Sequence, residues 1–419
     1  MILSGLLLLT SARAEESLHS LRFGTWGFDI SGENPAIKPG DDFFEFANGS
    51  WLARTPMPAD KVGMSVDVLI NDRTEAQLRK ILDETEQRAG HEPKDLEGKV
   101  GAFYRAFMDE DRIEALGSTP LESTLTAIRA ASTHEQLGRL IGRNAFDFER
   151  SFFEVWIDAD PKEPTRYTVF LGQGGLGLPD RDYYLQPAFM GQLAKYRQYV
   201  EQLLQLISWP DAAGNAAAIV ALETRIAEVS WTKAEQRDSN KAYNPMTVSK
   251  LEAFAPGFPW KQFLTEARLA STDKVIVSEK SAFPKIAAIF ANTPLDALHA
   301  WLAFTVVDNA AFYLSKPFAD AAFEFRNKTL FGQPEQAERW KRALRAVSGG
   351  DCPEEMLRHD ELGGRTVIHG ALFSTRHQGK GRGPGWQLEG RVPCAPRAPG
   401  LDESGDEGRG TQEARHLHY

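Results

Sequence analysis

Apolar side chains recur every three or four residues over most of the region 41–347, which predicts that this part of the chain is mainly α-helical. The segment 73–88 illustrates the pattern, because Leu78, Ile81 and Leu82 fall on one face of a helix and are expected to form one buried stripe. The same spacing predicts further helices at 101–107, 121–128, 135–141, 192–207 and 216–229. The expected fold class is therefore mainly α.

Three segments depart from this amphipathic pattern. Residues 294–314 are apolar on most faces, which predicts a helix central to the core. Residues 151–160 and 166–172 are rich in β-branched and aromatic side chains, and together they predict a small β-hairpin. The glycine-rich residues 172–179 follow as a predicted structural turn. A nucleotide site there is disfavoured, because a P-loop needs a Lys-Ser/Thr pair after its glycines.

The N-terminus is typical of a secretory signal peptide. An apolar run at residues 2–10 precedes Ala12-Arg13-Ala14 and two acidic residues, so we predict a signal peptide at 1–14 and a secreted or periplasmic protein. A buried N-terminal helix is the alternative. The run is too short to span a bilayer, which needs about 20 residues, and no later stretch resembles a membrane span. Residues 15–40 are expected to form an extended segment.

Composition narrows the class of protein. Hydrophobic residues make up 42% of the 419 residues, enough for a sizeable globular core. The net charge of −10 argues against a nucleic-acid partner, since phosphates require a basic face. Cys352 and Cys394 are the only cysteines, so no disulfide framework is expected. Residues 364–419 hold 11 of the 35 glycines but one of the 25 phenylalanines, which predicts a disordered tail over 351–419.

Several sequence blocks, in this order, resemble the N-terminal half of the neprilysin family of secreted zinc metalloendopeptidases. They are PGDDFFEFANGSWL (39–52), KVGAFYRAFMDEDRIEALGSTPL (99–121), GLGLPDRDYYL (175–185), EVSWTKAEQRDSNKAYNPMTVSKL (228–251) and FRNKTLFGQPEQAERWKRAL (325–344). The resemblance implies that residues 41–350 form the N-terminal helical domain of a two-lobe peptidase. It also implies peptides as partners and zinc as the cofactor of the family.

The blocks also predict local structure. Asp41 and Asp42 should cap a helix whose following aromatic side chains form a buried face. Asp180 should accept backbone N–H groups in a turn. Arg237 and Asp238 should belong to a buried or half-buried ion pair that fixes a helix to its neighbour.

The zinc motif of the family, His-Glu-x-x-His, does not occur in the chain. Two histidines one helical turn apart would face one metal ion, with the Glu as general base. His91-Glu92 is followed by Pro93, which disrupts a helix, and His134-Glu135 has no histidine at position 138. We therefore predict no catalytic residue, no metal ligand and no cofactor in this chain.

The tail suggests how a catalytic half could be lost. The tail can be reverse-translated with free choice among synonymous codons and then read one base forward from Arg365. The shifted frame can give a sequence that has helical periodicity and is similar to that of the family. Our hypothesis is a frameshift near Gly363-Gly364 that truncates the family sequence before its zinc motif. The expected product is an inactive fragment of a peptidase. The alternative is a non-enzymatic peptide-binding or partner module.

The family resemblance indicates two residues as candidate substrate contacts. The resemblance implies that an Arg and an Asp after the Pro-x-Pro segment hold the distal end of the peptide. Asp67 falls at the Asp position, and Lys61 is a weak equivalent of the Arg. A solvated aspartate without a ligand is the alternative for Asp67.

Overall fold

The computed structural model describes residues 29–88, 95–146 and 150–348. All of these residues belong to one structural unit. The predicted signal peptide at 1–14, the predicted tail at 351–419 and the frameshift junction lie outside the described residues.

The described residues confirm a mainly α fold with a small sheet. None of their helices has the length and hydropathy that a membrane span requires. The α-helices are α1 (Phe43–Arg54), α2 (Val66–Arg88), α3 (Leu96–Met108), α4 (Glu110–Leu116), α5 (Glu122–Ala130), α6 (His134–Phe146), α7 (Asp182–Leu185), α8 (Met190–Leu206), α9 (Ala212–Val229), α10 (Lys233–Gln236), α11 (Val248–Phe254), α12 (Trp260–Glu266), α13 (Phe283–Asn292), α14 (Leu295–Ala310), α15 (Lys316–Ala322) and α16 (Arg339–Ser348).

Shorter helical segments connect some of these helices. A π-helical segment, Phe323–Thr329, continues α15. Turns of 3₁₀-helix occur at Ile30–Gly32, Thr119–Leu121, Pro187–Phe189 and Ala311–Tyr313. The extended segment predicted at 15–40 is described only from residue 29 onward, and there it contains the first of these 3₁₀ turns.

The predicted hairpin is confirmed and belongs to a larger sheet. Strands β1 (Phe153–Asp160) and β2 (Glu163–Gln173) pair antiparallel. Two four-residue strands, β3 (Asn244–Thr247) and β4 (Lys274–Val277), complete the order β1-β2-β4-β3. The β2–β4 pairing is parallel, with Val169 opposite Val275. The sheet therefore joins residues 153–173 to residues 244–277.

Helix α14 lies at the centre of the main core, as its apolar composition predicts. Its side chains are buried on nearly every face, including Trp301 and Phe304. Phe152 contacts the Trp301 ring edge-to-face at 4.6 Å, which packs the start of the hairpin against this helix. The main core extends from Leu121 to Phe325.

The N-terminal helices have a separate, smaller core. Side chains of α2, α3 and α16 form this satellite cluster: Leu82, Phe103, Tyr104, Phe107, Ala343, Leu344 and Ala346. Phe107 contacts Tyr313 edge-to-face at 6.0 Å, and this contact joins the satellite cluster to the main body. Residues about 240 positions apart in sequence therefore share one small core.

Helix α1 begins as predicted but packs differently. Asp42 caps the helix, since its carboxylate accepts the Glu45 N–H at 2.9 Å. The buried aromatic face expected after this cap is wrong: Phe43 and Phe44 are 68% and 64% exposed. Only Gly49 of this helix is buried. The predicted turn at Asp180 is confirmed by a 2.7 Å bond from the Asp182 N–H.

A buried ion network stabilises the centre of the fold. Asp308 of α14 accepts hydrogen bonds from Arg326 (2.5 Å), Arg150 (2.7 Å) and the Tyr199 hydroxyl (2.5 Å). Burial alone would raise the pKa of Asp308, but the two guanidinium groups lower it below its usual range. Because the charges are paired, the network fixes three other parts of the chain to one carboxylate.

A second buried carboxylate lies beside this network. Glu223 of α9 is fully buried and accepts hydrogen bonds from the hydroxyls of Tyr184 (2.8 Å) and Tyr196 (3.1 Å). Burial raises the pKa of Glu223, although Arg150, the two phenols and Arg326 favour its ionised form. The folded protein therefore holds a proton on this group to higher pH than the unfolded chain does.

The buried ion pair predicted at Arg237 and Asp238 is wrong. Arg237 is exposed, and Asp238 pairs with the nearby Lys241 at 3.3 Å. Asp238 also accepts the backbone N–H groups of Asn240 and Lys241, so it stabilises a local turn.

We predict that Glu223→Gln makes the protein relatively more stable as pH rises. The stability from protonated Glu223 is complete below about pH 4.5, the ordinary Glu value, and is lost as pH rises through the raised folded-state pKa. Gln does not ionise, so its free energy of unfolding should gain on wild type by up to about 1.4 kcal/mol per pH unit in that window. Urea denaturation at a series of pH values from pH 4.5 upward measures this difference.

Glu228→Gln is the matched control, because Glu228 is exposed on the same helix. Its stability profile should run parallel to that of wild type. A parallel profile for Glu223→Gln would contradict the prediction.

The stripe predicted to be buried on α2 is confirmed at Leu82 and wrong at Ile81, which is 56% exposed. Leu82 and Leu78 provide a second test, of how far along α2 the satellite cluster extends. Leu82 is 5% exposed and Leu78 is 37% exposed, one helical turn apart. Leu82→Ala should lower the free energy of unfolding of the satellite cluster by about 2–5 kcal/mol, and Leu78→Ala by less than about 1 kcal/mol. Equal losses in denaturation experiments would show that α2 does not pack this way.

Candidate functional site

The candidate substrate residue Asp67 lies on an exposed face of α2. The carboxylate is exposed in the first turn of the helix. Large apolar side chains share this face at helical spacing: Val66, Ile70, Leu78 and Ile81, each between 37% and 56% exposed. We call these four residues the α2 stripe. A ligand on this face could interact with the charge of the Asp67 carboxylate and contact the apolar side chains of the stripe.

The other candidate, Lys61, is already paired. Its ammonium contacts Asp72 of α2 at 2.6 Å, and its side chain is only 12% exposed. Asp72 lies about 140° around the helix from Asp67 and about 7.5 Å further along its axis. The described contacts therefore join Lys61 to Asp72 and not to Asp67. Peptide binding by Lys61 and Asp67 stays a prediction.

Helix α16 holds the segment that precedes α2. Lys341 contacts Asp60 at 2.7 Å, and the Glu335 N–H donates to the Ala59 carbonyl at 3.0 Å. Burial would raise the pKa of Asp60, but Lys341 lowers it below its usual range. Arg345 of α16 contacts Glu75 of α2 at 3.5 Å. The orientation of the α2 stripe thus depends on the last described helix.

The described histidines have structural contacts. His134 contacts the Thr293 carbonyl at 2.9 Å, and its ring meets Phe290 edge-to-face. His299 contacts the Ala131 carbonyl at 2.7 Å. Over residues 29–88, 95–146 and 150–348, no three His, Cys, Asp or Glu side chains are grouped so that they could hold a metal. These residues therefore do not fit the zinc that the family uses.

The glycine-rich loop serves packing. The Gly177 N–H and the Leu178 N–H both donate to the Tyr184 hydroxyl, at 3.0 and 2.9 Å. The Gly177 carbonyl accepts from Arg326 at 2.5 Å. A Cβ at Gly177 would lie 1.7 Å from the Tyr196 hydroxyl, so only glycine fits. These contacts bind the loop to the buried network and support the structural reading over a phosphate site.

Sequence reasoning missed the buried network and the contacts of α16. Arg326 and Tyr184 lie inside the sequence blocks quoted above, but charged residues are ordinarily exposed and no local pattern marks them as buried. The alternation of Arg and Lys with apolar residues in 339–348 is a pattern of an amphipathic helix with a basic face, and this signal could have identified α16. Its acidic partners lie more than 200 residues earlier and could not be identified from spacing.

The chain is similar in sequence to known peptidases. A family model described as Peptidase family M13, for the N-terminal part of these enzymes, matches residues 39–356. Endothelin-converting enzyme-like 1 of Mus musculus is 27% identical over 77% of this chain and 41% of its own length. Neprilysin-11 of Caenorhabditis elegans is 26% identical over 74% of this chain and 39% of its own.

A solved structure shares the fold. Mycobacterium tuberculosis zinc metalloprotease ZMP1, in complex with an inhibitor, superposes with a TM-score of 0.72 and 28% identity. The match covers 83% of this chain and 52% of that protein. The chain thus spans about two fifths of the length of these curated relatives and about half of that structure. On the family match and the shared fold, the chain belongs to peptidase family M13.

Proposed function

We propose that this chain supplies the helical, peptide-enclosing part of an M13 zinc metallopeptidase and does not itself hydrolyse peptides. The observation that carries the proposal is the match of residues 39–356 to the N-terminal part of the family. The mouse, nematode and mycobacterial relatives are named as converting enzyme-like, neprilysin and zinc metalloprotease proteins. Peptides are therefore the partner class that we propose.

The proposed lack of peptidase activity is supported by the chemistry that zinc peptidases need. Zinc, where it is bound, would supply Lewis-acid chemistry, and it would need two histidines to hold it and a Glu as general base. The printed sequence has no His-Glu-x-x-His, and the histidine rings at 134 and 299 contact backbone carbonyls. Hydrolysis would then require residues that the 419 positions do not provide.

We also propose that the residues from about 364 onward are read out of frame. The family match ends at residue 356, close to the change in composition near residue 363. Sequencing the gene and the adjacent downstream DNA tests this idea. A continuation encoding His-Glu-x-x-His in another frame would support it, and none in any frame would contradict it. Export remains a prediction from residues 1–14.

The exposed apolar surface favours a role that depends on a partner. Twelve of the fifteen exposed large hydrophobic side chains in the described part of the chain lie between Ile30 and Met108. Such patches mark interaction surfaces or cause aggregation. This observation keeps open the second candidate function, a non-enzymatic peptide-binding or partner module. A peptide affinity that survives a chelator would favour it, whereas insoluble expression would favour the inactive fragment.

The catalytic part of the proposal is tested by incubating the purified chain with internally quenched peptides, with added zinc and with a chelator. We expect the same slow background cleavage in both conditions. An intact M13 peptidase is the positive control. Cleavage by the chain that a chelator abolishes, and that zinc restores, would contradict the proposal.

A further inference from the structure

Strand β1 forms one edge of the sheet. Among the described strands it pairs with β2 alone, because the strand order is β1-β2-β4-β3. Over residues 155–159 its side chains are half-buried or exposed, so solvent reaches this part of the strand. An accessible edge strand presents a row of backbone N–H and C=O groups with which another extended chain can pair.

The register of the sheet shows which backbone groups of β1 face outward. The Ser278 N–H donates to the Leu171 carbonyl at 2.9 Å, so the backbone groups of Leu171 point toward β4 and away from β1. Leu171 lies opposite Val155, and the two therefore form a pair that is not hydrogen-bonded across β1 and β2. Because backbone direction alternates along a strand, Ile157 has the same orientation as Val155. Both residues direct their N–H and C=O groups toward the open edge.

These outward groups are available for pairing. Within the described part of the chain, no hydrogen bond reaches the outward N–H or C=O of Val155 or Ile157. The next outward N–H, that of Ala159, donates to the Asp158 carboxylate at 2.7 Å. The open part of the edge therefore consists of the backbone donors and acceptors of Val155 and Ile157.

Apolar side chains lie on both faces of the sheet beside this edge. Ile157 and Tyr167 are 56% and 74% exposed, and they share one face because Tyr167 lies opposite Ala159. On the other face, the Trp156 ring stacks on Phe170, with ring centroids 5.3 Å apart. A strand added beside β1 would therefore gain apolar contacts as well as main-chain hydrogen bonds.

A second copy of this chain is a poor occupant of the edge. Glu154 and Asp158 are exposed side chains of β1. Antiparallel pairing of two copies about Trp156 would use the open groups of both copies. It would also place Glu154 of each copy opposite Asp158 of the other, and like charges directly opposite each other are destabilising.

The basic side chains of the hairpin are directed elsewhere. Lys162, in the turn, lies over the Tyr243 ring at 4.4 Å. Arg166 of β2 contacts Glu163 at 3.8 Å, and its backbone would be two strand spacings, about 10 Å, from a chain added to β1. Asp158 would be on the adjacent strand. The charge next to an added chain is thus negative, which favours a lysine over a glutamate there.

From this arrangement we propose that an extended peptide adds to the sheet beside β1, with its main chain hydrogen-bonded to Val155 and Ile157. Its side chains opposite these two residues would be apolar, and the alternate side chains would be neutral or basic. The inference rests on the proposed peptide-binding function and deepens it, because it assigns the place and the mode of binding. Main-chain pairing supplies affinity, and the acidic side chains of β1 exclude acidic peptides.

The acidic residues also have a purely structural explanation. Charged side chains on an edge strand prevent sheets from pairing edge to edge, and the bond from the Ala159 N–H to Asp158 has the same effect. This explanation predicts that no peptide binds at β1. The experiment must therefore detect main-chain pairing itself.

The experiment titrates the full 419-residue chain, in chelator, into a short fluorescein-labelled peptide in which valine alternates with lysine, and records fluorescence anisotropy. Valines opposite Val155 and Ile157 direct their N–H groups toward β1, whereas the lysine N–H groups face away. N-methylation of the valines should weaken binding about two- to tenfold for each hydrogen bond lost. N-methylation of the lysines is the matched control and should preserve binding.

Two further comparisons assign the effect to β1. Ile157→Pro removes an outward N–H but no bond to β2, and proline is tolerated at such edge positions. It should weaken binding to the level of the valine-methylated peptide, whereas Ile157→Val should preserve it. Replacing the lysines by glutamate should weaken binding about two- to five-fold, the range for surface charge pairs. Circular dichroism checks that each variant is folded, and the methylated peptides test the pairing without any variant.

Equal effects of the two methylation patterns, or unchanged binding by Ile157→Pro, would overturn the inference and leave peptide binding elsewhere on the chain intact. Absence of any peptide binding would overturn both the inference and the proposed peptide-binding function. A dimer in sedimentation experiments that Ile157→Pro abolishes would assign the edge to a second copy and overturn the inference. Chelator-sensitive cleavage would refute the proposed inactivity alone.

Discussion

The buried carboxylate of Asp308 is the constraint on which the main body depends. A charge in the interior is costly unless it is paired and hydrogen-bonded. Asp308 meets this condition through Arg150, Arg326 and Tyr199, which come from the start of the hairpin, the π-helical segment and α8. These elements can pack only if all of them reach the same point. Removing one partner would leave an uncompensated buried charge.

The N-terminal helices are attached to this body by a different kind of interaction. The satellite cluster is small, and ion pairs from Lys341 and Arg345 of α16 hold α2 and the segment before it. Helix α2 therefore has one face packed against α3 and α16 and one face exposed. In this arrangement the apolar stripe, with Asp67 beside it, is available to a ligand or to a further part of an M13 peptidase.

Periodicity in the sequence was sufficient for the helical fold, because burial of one face dictates the spacing of apolar residues. The hairpin and the Asp42 cap were also predictable from local chemistry. Strands β3 and β4 were missed, since four residues are too few to show alternation. The prediction that Phe43 and Phe44 are buried was wrong. Apolar spacing predicts a packed face, but it does not say which surface will cover that face.

The candidate site was less predictable than the fold. The family resemblance led to Asp67 and Lys61, but the pairing of Lys61 with Asp72 depends on how a loop meets the helix after it. The buried positions of Arg326 and Glu223 depend on contacts across more than 25 residues, so no sequence window contains them. These polar contacts form only where distant parts of the chain have packed together, so local sequence does not predict them.

This chain has the helical architecture of an M13 peptidase, and the proposal that it does not hold the family's zinc can be measured directly. Inductively coupled plasma mass spectrometry of the purified chain, dialysed against zinc and then against metal-free buffer, tests it directly. We expect far less than one zinc per chain after dialysis. One tightly held zinc per chain would contradict it.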